Sequence, residues 1–179
     1  MAYLQQLRRW ISSHGSQDIA YIDESGFVPE QVNPYGYSRR GKIIFGDHSG
    51  QRRPRTNLLV ARYQGRLQAP MLLEGSVTAE VFEAWLEQWL LPSLDKGSLL
   101  VMDNAAFHRK AAVRELAKRW GHEVLFLPPY SPDYNKVEHD FGALKKLRCF
   151  YPAQTPIDAI ILEYQERREA ILLSQSKVD

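Results

Sequence analysis

Apolar and polar positions follow two rhythms along this chain, and the places where the rhythm changes mark out its elements. The opening MAYLQQLRRWISSHGSQ reads as a short amphipathic helix ending near Gly15. DIAYIDESGF is a β-branched and aromatic run that closes on Asp23, so it predicts a strand with an acid near its end. GYSRRGKIIFG and RTNLLVARYQGRLQAPMLLEG supply further strands, with YQGR as the turn between two of them. Three neighbouring strands with short connections predict an antiparallel meander.

The period then lengthens. In TAEVFEAWLEQWLLP the residues Val81, Phe82, Trp85, Leu86, Trp89 and Leu90 recur at helical spacing, Thr78 stands at the N-cap and Pro92 at the stop. Trp85 and Trp89 on this stripe are predicted to pack into the core rather than to stack on a ligand. GSLLVMDNAAF is a short apolar run ending in Asp103, as expected of a strand buried on both faces. HRKAAVRELAKRWG then reads as a helix capped by Gly121. HEVLFLPPY predicts another buried strand, stopped by Pro128, and a helix follows from about residue 136 to 149. TPIDAIILEYQERREAILLSQ gives a last helix with Thr155 as N-cap and Pro156 at its first position. The predicted class is α/β. The chain shows no internal repeat, low-complexity tract or linker, so the expected organisation is a helical appendage over 1–17, a single core domain over 18–150, and a C-terminal helix packed on it over 151–179.

Composition narrows the class further. With 179 residues, 44% hydrophobic and 25% charged, the chain has the make-up of an ordinary globular protein. No apolar run approaches the roughly 20 residues that span a bilayer, and the N-terminus lacks the features of a secretory signal, so a cytoplasmic protein without a membrane partner is expected. Cys149 is the only cysteine, which excludes an intrachain disulfide and any zinc site built on several thiolates. The net charge of +2 is unremarkable, but its distribution is uneven. Over residues 39–66, Arg39, Arg40, Lys42, Arg52, Arg53, Arg55, Arg62 and Arg66 face a single acid, Asp47. Such a segment suits a polyanion, and equally suits solvated edge strands that resist aggregation.

Three acids stand at the ends of predicted elements: Asp23, Asp103, and Glu138 in the first turn of the helix that follows the last strand. If the strands ending in Asp23 and Asp103 are neighbours, their carboxylates meet, and the helix brings Glu138 over the same edge. Carboxylates so gathered repel and raise one another's pKa, a conflict that a divalent cation resolves. An all-oxygen set of two Asp and one Glu selects Mg²⁺ or Mn²⁺ over zinc. Two such ions about 4 Å apart can activate an attacking hydroxyl and stabilise the leaving oxygen in a phosphoryl transfer. Singly, each acid has an ordinary reading, since an Asp at a strand end caps turns and a Glu in a first helical turn favours the dipole.

The stretches YIDESGF, LLVMDNAAFHRK and LPPYSPDYNKVEHDFGALKK, in this order and with 34 residues between Asp103 and Glu138, resemble the three catalytic blocks of the DDE-type transposases of bacterial insertion sequences related to the mariner superfamily. The resemblance covers about residues 18–148. It implies a ribonuclease H-like fold, a five-stranded mixed sheet of three antiparallel then two parallel strands flanked by helices. It implies also that Asp23, Asp103 and Glu138 bind two Mg²⁺ or Mn²⁺ ions and carry catalysis of DNA cleavage and strand transfer, with transposon ends and a target, preferably a TA dinucleotide, as the double-stranded substrates. Relatives work as dimers in synapsis. They also carry N-terminal helix-turn-helix modules, for which the roughly 17 residues ahead of the first strand are too few. The expectation is therefore a split reading frame with a separate helix-turn-helix chain, a relic, or a catalytic domain. A catalytically silent DNA-binding fragment and a nuclease that cuts without joining are the alternatives.

Around the acids the sequence offers helpers. Pro128, Pro129 and Pro132 restrict the backbone ahead of Glu138, so the turn from strand to helix has few alternatives. Asn135 and Asp133 both suit the cap of that helix. Asn104 suits either a polar role beside Asp103 or the cap of the next helix. Arg39, Arg40, Arg52, Arg53, Arg55, His108, Lys145 and Lys146 are the expected DNA contacts, with Arg148, His139, Tyr130 and Ser131 as lesser candidates. Glu24 is excluded from the site, because consecutive strand residues point to opposite faces.

Overall fold

The computed structural model describes residues 2–28, 55–105, 108–129, 131–152 and 154–175. Along them run α1 (Ala2–His14), β1 (Ile19–Phe27), β2 (Thr56–Tyr63), β3 (Arg66–Glu74), α2 (Ala79–Trp85), β4 (Leu99–Met102), α3 (Lys110–Arg119), β5 (Glu123–Phe126), α4 (Val137–Arg148) and α5 (Ile157–Gln175). The strand expected within residues 36–46 lies outside the described residues, as do Arg39, Arg40, Lys42, Arg52, Arg53 and Tyr130. No described helix is long and apolar enough to cross a membrane.

The five strands form one sheet in the order β3-β2-β1-β4-β5. β1, β2 and β3 pair antiparallel, and β4 and β5 add in parallel beside β1. The β2–β3 hairpin turns at Gln64 and Gly65, both at positive φ (47° and 79°), the twist that a two-residue hairpin needs. Alternation along the strands divides the apolar side chains between two cores. On one face Tyr21, Leu58 and Val101 pack against Tyr3 and Trp10 of α1, Phe141 and Leu144 of α4, and Ile160 and Ile161 of α5. On the other, Ile22, Leu59 and Leu100 pack against Phe82 and Trp85 of α2 and Val113 and Leu116 of α3. The sheet is thus sandwiched between helices, and the β1–β4–β5 half presents the C-terminal ends of three parallel strands to one edge, where open α/β sheets place their ligands.

Three expectations need correction. β1 does not end at Asp23 but runs four residues further, because β2 goes on pairing with it as far as Phe27 opposite Thr56. It is the parallel pairing to β4 that stops short, at Tyr21 opposite Val101. Second, β5 is the edge of the described sheet and is only half-buried, not enclosed on both faces. Third, Trp85 is fully buried, its indole N–H donating to the Ala69 carbonyl at 2.8 Å, whereas Trp89 is 53% exposed. The apolar stripe of α2 is wider than the surface it covers: Phe82, Trp85, Leu86 and Leu90 fill the sheet side while Val81 and Trp89 fall outside it. The helix starts at the expected Thr78 cap, whose hydroxyl accepts from the Val81 amide, and passes through a π turn (Leu86–Leu90) and a 3₁₀ turn (Leu91–Ser93) containing Pro92.

Candidate active site

Asp23 sits on β1 just past the last residue paired with β4, on the face that α4 covers, because its neighbours Tyr21 and Ile22 belong to the α4-side and α2-side cores respectively. Asp103 follows directly on Met102, the last residue of β4. The β5 chain leaves its strand through Leu127, Pro128 and Pro129, makes a 3₁₀ turn (Pro132–Tyr134), and enters α4 with Glu138 as the second helical residue, its amide bonded to the Asn135 carbonyl at 3.1 Å. Sequence separations of 80 and 35 residues are closed by the sheet order and the return of α4, and all three carboxylates line one open cavity of about 430 Å³ with Asn104, Ser131, Asn135, Pro128 and Pro129.

Burial dominates the electrostatics here. It pushes the Asp23 carboxyl up from 3.8 to about 7; the hydrogen bond donated by the Glu24 amide opposes the rise, and the Glu138 and Asp103 carboxylates reinforce it. Asp103 is more open, its side chain 49% exposed, and one of its oxygens accepts from the Ala105 amide at 3.0 Å. Among the described residues no three ligating side chains are drawn tightly around one point, so the carboxylates share a cavity without forming a preset cage. Their chemistry nevertheless fits a hard divalent cation: the donors are all oxygen, and the proton that Asp23 retains near neutrality is what such a charge would displace. Glu24 is exposed and absent from the cavity wall, as its strand parity required.

The neighbouring polar residues behave differently from the expectations. Asn135 does not cap α4 with its side chain. It is 2% exposed, and its Nδ2 donates across to β1, to the Ile22 carbonyl at 3.0 Å and to Asp23 Oδ2 at 3.2 Å, so the helix carrying Glu138 is tied to the strand carrying Asp23. Its place just ahead of α4 reads as a cap, and only the packing of α4 over β1 shows its reach. Asn104 does not stand at the cap of α3, a position held by Arg109; its Nδ2 donates to the Leu127 carbonyl, joining the ends of β4 and β5. His108 has a side chain only 4% exposed, packs on Phe82 with ring centroids 4.3 Å apart, and lies 3.5 Å from an Asp103 oxygen. Burial lowers its pKa, and the ring stands behind Asp103 rather than on the open surface.

The basic candidates divide. Arg55 lies against Gly26, so close that any side chain there would collide with its guanidinium, and its charge lowers the pKa of Glu24 that burial raises. Arg62 pairs with the buried Asp140 at 2.6 Å, and Arg66 pairs with Glu169 at 3.0 Å on the surface. Arg148 is 3% exposed and donates to the Pro152 carbonyl at 2.7 Å, holding the turn after α4, which removes it from the surface candidates. Lys145 extends over the Phe27 ring at 6.0 Å, and Lys146 is exposed on the same helix.

A mixed sheet sandwiched between helices, with carboxylates from two parallel strands and the following helix around one cavity, is the framework of a ribonuclease H-like catalytic domain. Residues 18–154 match the family model of the DDE superfamily endonucleases, and the chain belongs to that family. Among solved structures, the chain is similar to the Mos1 strand transfer complex (TM-score 0.62, 21% identity, covering 96% of this chain and 58% of that one). It is similar too to the Mos1 mariner paired-end complex with Mn (TM-score 0.61, 20% identity, 97% and 60%) and to the catalytic domain of Mos1 mariner transposase (TM-score 0.57, 19% identity, 97% and 90%). The chain therefore spans less than two thirds of the transposase chains in those complexes and nearly all of the isolated catalytic domain. At these identities the likeness establishes the fold. No curated protein sequence matches the chain.

Proposed function

We propose that this chain is a transposase catalytic domain that cleaves DNA phosphodiester bonds and joins the freed 3′-hydroxyl to target DNA, with Asp23, Asp103 and Glu138 as its catalytic residues. The observation that carries the reading is the meeting of three carboxylates, distant in sequence, around one open cavity in a chain of the DDE endonuclease family. The fold likeness to Mos1 strand transfer and paired-end complexes supports DNA ends as the substrate, and the Mn- and Mg-containing Mos1 structures support a divalent cofactor.

In this reading Asp23, Asp103 and Glu138 hold two Mg²⁺ or Mn²⁺ ions. When bound, the metal supplies Lewis-acid activation of the attacking oxygen and neutralises charge at the scissile phosphate. The chain's own contribution is placement and proton release. Asp23 would hold the ion in its deprotonated form, since direct attraction to a divalent charge outweighs the burial and repulsion that otherwise keep it protonated. Asp103 and Glu138, both solvent-accessible, would supply the remaining oxygens, while Asn135 and Asn104 keep the two strand ends and the helix start in register. Lys145 and Lys146 on the following turns of α4 contact the DNA backbone. Recognition of specific ends by a helix-turn-helix chain, and pairing of two copies, belong to the same proposal.

The test is nicking and joining of a labelled DNA duplex with Mg²⁺ or Mn²⁺ by the intact chain and by Glu138→Gln. Products that need the metal and disappear in the variant support the reading. Equal DNA binding by both proteins with no product from either would reduce the chain to a binding module.

A further inference from the structure

The C-terminal helix lies beyond the segment matched by the family, and the interior of the molecule gives it a task. Asp140 is 2% exposed and carries a full set of partners from two other elements. Its Oδ2 accepts from Arg62 Nη1 of β2 at 2.6 Å, and its Oδ1 accepts from the Tyr164 hydroxyl of α5 at 2.5 Å. Burial and the adjacent Asp140 carboxylate push the Tyr164 phenol well above its ordinary range, so the hydroxyl remains a donor at every working pH. α5 is in turn pinned to the β2–β3 hairpin, where Gln165 donates to the Leu67 carbonyl at 2.8 Å and Arg168 to the Gly65 carbonyl at 2.9 Å.

Asp140 stands two residues after Glu138 in the first turn of α4. At about 100° per residue the two carboxylates point to nearly opposite sides of the helix, one into the cavity and the other into this buried network. The buried apolar side chains of α4, Val137, Phe141 and Leu144, hold it against the sheet but set its roll less sharply than hydrogen bonds do, because apolar attraction is non-directional. The bidirectional grip on Asp140 is directional, and it fixes the roll. Displacing a reacting group by about 1 Å can cost on the order of 10²-fold in rate.

We infer that α5 is a strut for the active site: Tyr164 and Arg62, acting through Asp140, set the rotation of α4 and with it the direction of Glu138. Asp140 and Tyr164 are positioning residues, and the inference rests on reading Glu138 as a metal-binding carboxylate.

The experiment compares wild type, Tyr164→Phe and Asp140→Asn with Leu162→Ala, which alters a 58% exposed side chain of the same helix. Two readouts are taken: amide hydrogen exchange over residues 137–141 in the metal-free protein, and the Mn²⁺ concentration that half-saturates binding. Tyr164→Phe and Asp140→Asn are expected to speed exchange at the start of α4 selectively and to raise the half-saturating Mn²⁺ about tenfold, the range for lost partners of a metal ligand, while Leu162→Ala does neither. Unchanged exchange over 137–141 in whichever of the two variants folds, or a rise spread evenly over the whole chain, overturns the strut. A wild type that binds no Mn²⁺ would sink the metal-site reading instead, and the exchange arm would still decide whether α5 holds α4.

Discussion

A carboxyl with a pKa of about 7 next to two other carboxylates is an unstable arrangement for a metal-free protein, and Asp23 makes a prediction of definite sign. Its folded pKa lies above the ordinary 3.8, so the folded state binds the proton more tightly than the unfolded chain does. The stability this contributes is fully present below about pH 4 and is lost as pH rises through about 7. Thermal unfolding of the metal-free protein should therefore show a midpoint that falls between about pH 4 and pH 7, a fall that Asp23→Asn flattens and that Mn²⁺ reverses at the upper end. A wild-type midpoint indifferent to pH across that window would mean that the fold does not hold Asp23 protonated. At this scale the acids themselves were legible in the sequence, because block order and spacing marked them out. Their supports were not. Asn135, Asn104 and His108 act across elements, through a bond to β1, a bond to the Leu127 carbonyl and a ring contact with Phe82, and local sequence carries no record of a partner more than 20 residues away.

Elements were more readable than their surroundings. Each described helix was foreshadowed by its period and its punctuation: Gly15 after α1, Thr78 before α2, Gly121 after α3 and Pro156 before α5. The errors concern which side of an element is covered, a question that depends on neighbours. β5 reads as a buried strand from its apolar run, yet it ends the sheet; the two tryptophans of α2 share a stripe, yet only one reaches the core. That difference is measurable. Trp85→Ala should cost about 3–5 kcal/mol in denaturant unfolding, since it empties a fully buried site and frees the Ala69 carbonyl, whereas Trp89→Ala should stay within about 0.5 kcal/mol. Similar losses for the two would contradict the packing of α2 on the sheet.

For the molecule as a whole, the fold explains why acids from three separate blocks meet. β4 inserts between β1 and β5, all three run parallel, and their C-terminal ends open on one edge; α4 returns from β5 over the face that Asp23 occupies. The helices on that face share one core with it, so the cavity, lined by the loops that follow β4 and β5, rests on a packed base. Of the basic stretch over residues 39–66, the described Arg62 pairs with the buried Asp140, Arg66 pairs with Glu169 at the surface, and Arg55 lies against Gly26.

The central claim is that Asp23, Asp103 and Glu138 work as one unit, and its most direct test is the rate of metal-dependent phosphodiester cleavage in Asp23→Asn, Asp103→Asn, Glu138→Gln and the triple variant. Residues that act together are grossly non-additive: each single change should lower the rate by about 10³-fold or more, and the triple variant should be little worse than the worst single one. Losses that multiply from variant to variant, or any single variant that cleaves at a rate near that of the intact chain, would contradict it.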